Sequence, residues 1–272
     1  MHRVPGWSES LKKSANDNKV AGLQSVIRTF EIVEYLAQNN EAGITELSND
    51  LGQSKSTTYR FLSTLKYLGY VRQNRKNDKY TLSHRLFEIS SKAMGHNDTI
   101  SVARPILEQL ANESGESVHL SVLERNTIVY IDKIDSAYSL RMFSHIGRSA
   151  PAHCTAMGKA LLAYQPESFI DELFSNGELR AYTANTITDK DKLKKSLTLI
   201  RRRGVAVDNE EYEDGLKCVA APIRDYNSGV IASFCVAGPS IRLRQSVIKR
   251  LKEQVAQASE EISRRLGFRA RA

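Results

Sequence analysis

The chain has few cysteines, few aromatic residues and no long apolar run. Its three cysteines, Cys154, Cys218 and Cys235, are odd in number and widely spaced, so neither a disulfide framework nor a structural zinc site is predicted. A run of about 18 apolar residues is missing, which excludes a transmembrane helix. Residues 8–19 are polar where a signal peptide would need an apolar core. We therefore expect a cytoplasmic protein, and residues 1–20 are predicted to be a disordered arm.

The sequence also lacks the short motifs of several large enzyme classes. It contains no GxSxG elbow, no P-loop, no GxGxxG and no HExxH. Six histidines are scattered without metal-ligand spacing, so no metal and no cofactor are predicted. The chain is predicted not to be an enzyme. One alternative stays open, a hydrolase or transferase in which Cys218, His153 and Asp208 act as nucleophile, base and orienting acid.

Positive charge is abundant and unevenly distributed. The formal net charge is +8, and residues 53–85 hold eight Lys or Arg against one acid, Asp78. Such a dense basic segment is typical of a surface that contacts phosphate. A basic protein could also bind an anionic membrane or RNA.

Residues 54–70 have the pattern of a DNA-recognition helix. Ser54 is suited to the N-cap, and Gly69 is suited to the left-handed position after the last turn. Apolar positions recur at helical spacing and predict a buried stripe: Thr58, Phe61, Leu62 and Leu65. The rest of the helix carries hydroxyls, cations and one aromatic ring, which predict contacts to base edges and phosphates in a major groove. The predicted DNA-contact residues are Ser54, Lys55, Ser56, Thr57, Tyr59, Arg60 and Ser63. For this helix alone, a solvated face is an equal alternative.

The neighbouring segments complete a winged helix-turn-helix. An amphipathic helix is predicted upstream from Leu23, Val26, Ile27, Phe30, Val33 and Leu36. A short helix follows, with Thr45 as its expected cap. Two short strands at 70–73 and 79–82 flank a polar turn, which predicts a wing with Arg75, Lys76 and Lys79 as phosphate contacts. Helix and wing together favour double-stranded DNA over an RNA-binding adaptor, because no RNP-like aromatic strand is present.

From residue 117 the apolar period changes to two, as in strands. Strands are predicted at 117–123, 127–134, 140–143, 205–207, 217–224 and 229–237. Helices are predicted at 83–98, 100–114, 156–164, 167–174, 190–203 and 243–266. The fold class is therefore α+β, with an antiparallel sheet and flanking helices in the second half.

Two segments of the second half have the composition of a ligand site. Residues 147–159 form a loop of small residues that leads into a helix, where free amides could receive a carboxylate. A tight packing turn has the same composition. Asp208, Glu210 and Glu211 form an acidic cluster that could bind metal, transfer protons, contact sugar hydroxyls or lie in solvent.

Several separated motifs resemble the IclR family of bacterial transcriptional regulators. They are GITELS at 43–48, SKST at 54–57, YRFL at 59–62, HCTAMGKA at 153–160, DNEE at 208–211, GLKCVAAP at 215–222 and GP at 238–239. The resemblance covers roughly residues 22–267. Residues 128–136 and 140–144 look most like the branch that regulates pectin and ketodeoxygluconate catabolism.

The resemblance implies a winged helix-turn-helix DNA-binding domain at 21–82, a linker helix at 83–98 and a GAF-like effector and oligomerisation domain at 99–272. It also implies a repressor, homodimeric or homotetrameric, that binds a DNA operator and a small carboxylic or keto acid such as 2-keto-3-deoxygluconate. The effector positions that it implies are Ala150, Ala156, Met157, Asp208, Cys218, Cys235 and Ala237. We add Arg141 and Arg148 as candidate partners of a carboxylate.

Overall fold

The computed structural model describes residues 23–94, 98–138, 144–175 and 177–269. The chain divides into two units between His96 and Asn97. The arm expected at 1–20, the strand expected at 140–143 and the candidate residue Arg141 lie outside the described residues.

The first unit contains four described helices and a small antiparallel two-stranded wing. Its elements are α1 Gln24–Asn39, α2 Ile44–Asp50, α3 Lys55–Tyr67, β1 Val71–Gln73, β2 Tyr80–Leu82 and α4 Arg85–Met94. Strands β1 and β2 pair antiparallel, with Val71 opposite Leu82. One core joins α1, α2 and α3 to the wing: Ile32, Leu36, Ala42, Leu47, Leu62, Leu65, Val71 and Tyr80. This arrangement confirms the winged helix-turn-helix predicted from the sequence.

Local hydrogen bonds explain where these helices begin and end. The Ser54 hydroxyl accepts the Thr57 amide at 3.2 Å, as expected for the α3 cap, and Gly69 adopts φ +81° after the helix. The cap expected at Thr45 was wrong. Gly43 holds that position because Glu46 Oε2 accepts the Gly43 amide at 2.7 Å.

The apolar stripe of α1 is mostly uncovered within the described part of its unit. Leu23, Val26, Ile27 and Phe30 are 74%, 49%, 41% and 60% exposed. Further along the helix, Leu36 is buried in the core. Periodicity thus identified the helix correctly, although the first two turns do not face this core.

The second unit is a six-stranded antiparallel sheet with helices on both faces. Its elements are α5 Asp98–Ser114, β3 Ser117–Glu124, β4 Thr127–Ile134, β5 Ser149–Pro151, α6 Ala156–Leu162, α7 Glu167–Glu172, α8 Lys190–Arg203, β6 Ala206–Asn209, β7 Leu216–Arg224, β8 Val230–Pro239 and α9 Gln245–Arg265. The strand order is β5-β4-β3-β8-β7-β6. Helices α5 and α9 cover one face, and α6 and α8 cover the other. The α+β prediction is confirmed.

Strand β5 was not expected, because its Ser-Ala-Pro sequence has the composition of a loop. Main-chain pairing with β4 makes it an edge strand, with Ala150 opposite Ile128. Helix α8, in contrast, has the predicted bounds. Asp189 caps its start through the Lys192 amide at 2.8 Å, and Gly204 ends it at φ +71°. Across the described residues, we find no helix long and apolar enough to cross a bilayer.

Candidate functional sites

The polar face of α3 remains open to solvent in the first unit. Lys55, Tyr59 and Arg60 are exposed, and Tyr59 keeps 56% of its surface. The hydroxyls near the helix start have local partners, since Ser54 contacts the Ser56 and Thr57 hydroxyls at 3.0 and 2.8 Å. Ser54 and Thr57 therefore order the first turn, whereas Lys55, Tyr59 and Arg60 expose cationic and aromatic groups to solvent.

The wing turn is ordered by its own polar side chains. The Asn74 main-chain N–H donates to the Lys79 carbonyl at 2.8 Å, and the side-chain Oδ1 of Asn74 accepts the Lys76 main-chain N–H at 3.0 Å. Arg75 and Lys76 are exposed in this turn. Their side chains form no ion pair with any residue that the structure describes, so both charges are available to a phosphate.

Lys79 differs from the cations of the turn. Its Nζ lies 3.7 Å from a carboxylate oxygen of Glu41 and 3.7 Å from one of Glu46. Counting charges over residues 53–85 missed these acids because they precede that segment in the chain. Lys79 therefore contributes less free positive charge to the wing than the sequence predicted.

The second unit brings most of the expected effector residues together around a small cavity. Its lining residues are Tyr130, Thr155, Ala156, Met157, Asp208, Tyr212, Leu216, Cys218 and Cys235. Ala150 and Ala237 are buried in the surrounding hydrophobic cluster. Arg148 forms a hydrogen bond with Tyr212, so it reaches the rim. Sequence reasoning missed the two tyrosines, which carry no local motif.

The cavity is nearly closed in this conformation. The space that a water-sized sphere can enter is about 10 Å³, which is room for about one water molecule. A six-carbon acid would need the lining to move. Burial raises the pKa of the Tyr212 hydroxyl, while its hydrogen bond to Arg148 acts in the opposite direction.

Helix α6 is held very close to the loop that precedes it. The Thr155 hydroxyl accepts the Gly158 amide at 3.2 Å and donates to the Pro151 carbonyl at 2.8 Å. A Cβ atom on Gly158 would lie 2.2 Å from the Ala152 carbonyl oxygen, so position 158 requires glycine. The small residues of this segment thus serve close packing as well as access to main-chain amides.

A buried ion pair lies next to the cavity and was not predicted. The Lys159 ammonium donates to the Glu211 carboxylate, and also to the Val207 carbonyl at 2.8 Å. Both side chains are almost fully buried, and Glu211 Oε2 has no partner among the described residues. The pair joins α6 to the segment after β6, because the two residues come from these elements.

Asp208 is a buried carboxyl in the cavity lining. It is 2% exposed, and its Oδ1 accepts the Glu211 amide at 2.7 Å. Burial raises the pKa of this carboxyl from 3.8 to about 7, while that hydrogen bond and Lys159 act in the opposite direction. Asp208 can therefore exchange a proton near neutral pH.

The catalytic alternative does not assemble in the structure. His153 Nε2 lies 3.0 Å from the Arg180 carbonyl oxygen, and burial lowers the pKa of its imidazole. Cys218 instead hydrogen-bonds with Cys235. The proposed base and nucleophile therefore have other partners. Among the described residues, no group of three metal-ligating side chains is found.

Comparison with known proteins agrees with both halves of the chain. The family model of the IclR helix-turn-helix domain matches residues 25–75, and that of the bacterial transcriptional regulator IclR C-terminal domain matches residues 91–264. The chain belongs to the IclR family.

Individual IclR-family members match nearly the whole chain. The HTH-type transcriptional regulator KdgR of Dickeya chrysanthemi is 40% identical over 93% of this chain and 83% of its own length. The transcriptional repressor IclR of Escherichia coli K12 is 31% identical over 89% of each chain. The crystal structure of the Thermotoga maritima IclR matches 91% of this chain and all of its own, with a TM-score of 0.76 and 31% identity. The protein is therefore a KdgR-like DNA-binding transcriptional regulator, and the enzyme alternative has no support.

Proposed function

We propose that this IclR-family regulator is a cytoplasmic repressor of a sugar-acid or pectin-derived carbon catabolic pathway. Its effector is a small keto acid, such as 2-keto-3-deoxygluconate, that releases it from a double-stranded operator. The observation that carries the proposal is the 40% identity to KdgR, which extends through both units. The IclR protein of Escherichia coli K12 is a transcriptional repressor, which supports repression rather than activation for this relative of it.

On the DNA side, α3 enters the major groove and the wing follows the backbone. Arg60 and Lys55 read base edges or phosphates, and Tyr59 adds apolar and hydroxyl contacts. Ser54, Ser56 and Thr57 order the first turn of the helix and contact DNA there, and Ser63 is a further DNA contact along the same helix. Arg75 and Lys76 contact phosphate, with Lys79 as a weaker partner because Glu41 and Glu46 lie beside it.

Arg60→Ala is expected to weaken operator binding by ~1–3 kcal/mol, if the guanidinium pairs with a base edge, and to leave non-operator binding less affected.

Lys76→Ala is expected to weaken binding to all duplexes and to reduce the salt slope by about one, because one phosphate contact is lost. Gel shifts with operator and scrambled duplexes at several salt concentrations measure both effects. Lys79→Ala is the matched control and should have a smaller effect than Lys76→Ala. Wild-type operator binding by both variants would contradict this orientation of the first unit.

We propose that the exposed face of α1 forms a homodimer contact. Leu23, Val26, Ile27 and Phe30 expose four large apolar side chains on two turns, and a two-fold contact buries the same patch of both copies. Further pairing through the second unit would give tetramers. A dimer also matches the two-fold symmetry of operators that helix-turn-helix proteins read.

Phe30→Glu is expected to shift the protein toward monomer in sedimentation velocity, because like charges would meet across the two-fold axis. The same variant should lose the symmetric footprint on a palindromic operator. Tyr226→Glu places the same charge on a separate exposed residue, 73% accessible, and should keep the wild-type assembly. An unchanged sedimentation coefficient for Phe30→Glu would place the dimer contact elsewhere.

On the effector side, the acid occupies the cavity once its lining has moved apart. We place its carboxylate near the amides of Ala156 and Met157, with Arg148 at the rim as its cationic partner. Arg141 is a second candidate of this kind. Asp208 contacts the sugar hydroxyls, while Cys218 and Cys235 line the wall, and Ala150 and Ala237 pack behind it. The flexible Met157 side chain can adapt to the ligand.

Because the cavity admits about one water in the present conformation, effector binding favours a more open arrangement. A ligand shifts such an equilibrium only by its difference in affinity for the two states. The open state must therefore bind the operator more weakly.

Asp208→Ala is expected to bind the operator without effector like the wild type, yet to need a much higher 2-keto-3-deoxygluconate concentration for release. Isothermal calorimetry with the same compound measures the affinity directly. Glu213→Ala, at an acid outside the cavity lining, is the control. Wild-type release by the Asp208→Ala variant would remove Asp208 from the site. Failure of any sugar-derived acid to bind would refute the pathway assignment and leave the family membership intact.

A further inference from the structure

The two central strands hold a thiol and an imidazole side by side. Cys235 on β8 lies directly opposite His119 on β3. The Cys235 sulfur is 3.9 Å from His119 Nδ1, within hydrogen-bond range for sulfur. Both side chains are almost fully buried, at 3% and 1% exposure. The two residues are 116 positions apart in the chain, so no local motif predicts this contact.

The His119 ring is fixed by further contacts. Its Nε2 lies 2.7 Å from the Ser144 hydroxyl, which is also buried. The ring meets Tyr130 edge-on, with centroids 5.4 Å apart. A thiol, a base and a group that orients the base are the components that activate a nucleophile in proteins.

The three thiols of the chain differ in their surroundings. A hydrogen bond with Cys218, together with the contact to His119, lowers the pKa of the Cys235 thiol despite its burial. Burial next to Asp208 and Glu211 raises the pKa of the Cys154 thiol. Cys235 is therefore the thiol with the most thiolate character, and thiolate is the nucleophilic form.

Cys235 also lines the cavity, together with Ala156, Met157, Asp208 and Cys218. Its sulfur thus belongs to the wall against which a bound molecule would rest. A thiol that only packs in a core does not need a neighbouring base, and one that only lines a cavity does not need a lowered pKa. Cys235 has both a neighbouring imidazole and a place in the cavity lining, which points to chemistry between its sulfur and the ligand.

We propose that Cys235 captures a 2-keto acid by reversible covalent addition to its keto group. The inference rests on the proposed function, which supplies a keto-acid effector. The Cys235 sulfur forms a bond to the keto carbon, and the carbon–oxygen π bond breaks onto oxygen. His119 takes the thiol proton and returns it to that oxygen, so the product is a neutral hemithioketal. No oxidant or leaving group is involved, and the addition is stoichiometric.

The adduct gives the regulator a means of selecting keto acids. The corresponding 2-hydroxy acid has the same carboxylate and hydroxyls but no electrophilic carbon, so it can bind without bonding to sulfur. A serine at position 235 would keep the volume and the hydrogen bond but would lack the nucleophilic sulfur.

The test uses the full-length protein with 2-keto-3-deoxygluconate labelled with ¹³C at C2, observed by NMR. The bound C2 resonance is expected at the position of a carbon bonded to one sulfur and one oxygen, distinct from the free ketone and the cyclic hemiketal. Cys235→Ser should lose this resonance and bind the keto acid at least about tenfold more weakly, which is about 1.4 kcal/mol. Affinity for 3-deoxygluconate, the 2-hydroxy acid, should change little. Cys218→Ser should retain the resonance.

Binding of the labelled keto acid without a sulfur-bonded carbon would overturn the proposal, while the proposed function would stand. If neither acid bound, the keto-acid effector and the adduct would both be refuted.

Discussion

Replacing Lys159 by methionine is expected to lower the free energy of unfolding by about 3–5 kcal/mol. The substitution keeps the length of the side chain but leaves the Glu211 carboxylate buried without its cation. It also removes a donor to the Val207 carbonyl. Urea unfolding followed by circular dichroism measures the loss, provided that the m-value stays constant.

A double variant separates the ion pair from simple packing. Lys159→Met with Glu211→Leu removes both charges, and a buried pair replaced by apolar groups often retains or gains stability. The double variant should therefore recover most of the stability lost by Lys159→Met. Lys194→Met, at an exposed pair with Glu167 and Asp171, is the control and should have little effect. A double variant as unstable as Lys159→Met would show that the loss comes from packing.

Asp208→Asn is expected to make the protein more stable than the wild type at alkaline pH. The folded pKa of Asp208 is about 7, above its ordinary 3.8, so the folded state holds a proton that the unfolded state has already released. The contribution of Asp208 to the stability of the wild type therefore falls as pH rises from about 4 to 8. The full difference between the folded and ordinary pKa values of Asp208 corresponds to about 4 kcal/mol in the free energy of unfolding. The asparagine amide does not titrate, and its oxygen can still accept the Glu211 amide.

Melting temperatures of both proteins across this pH range test the sign. The advantage of Asp208→Asn should grow with pH and level off above about pH 8. Asp171→Asn is the control, because Lys190 and Lys194 lower the pKa of the Asp171 carboxyl. The ion pairs of Asp171 contribute stability above about pH 4 and lose it only in stronger acid, so this variant should differ from the wild type by a constant amount between about pH 4 and 8. A pH-independent difference between Asp208→Asn and wild type would show that Asp208 is ionised in the fold throughout this range.

Local chemistry predicted the element boundaries well wherever a short-range hydrogen bond sets them. Ser54 and Asp189 cap helices through amides three residues away, and Gly204 ends α8 where the sequence places a glycine. The cap expected at Thr45 was wrong because the deciding group is the Glu46 carboxylate, which accepts the Gly43 amide. Capping propensity is a property of single residues, whereas this cap depends on the pair of Gly43 and Glu46.

The site was predicted only in part, for a different physical reason. Motif resemblance identified Met157, Asp208 and Cys218, which do line one cavity. Contacts between distant residues leave no local pattern, so the Lys159–Glu211 pair and the His119–Cys235 contact were missed. Periodicity likewise predicted the apolar stripe of α1 but could not show that the described unit leaves much of it exposed.

The strand order of the second unit also has a consequence for biosynthesis. Its central pairing joins residues 117–121 to residues 233–237, so the sheet cannot close until about residue 237 has left the ribosome. The core of the first unit needs only residues from Ile32 to Tyr80, and local contacts form faster than distant ones. A nascent chain therefore carries a completed helix-turn-helix fold while the sheet of the second unit is still unfinished.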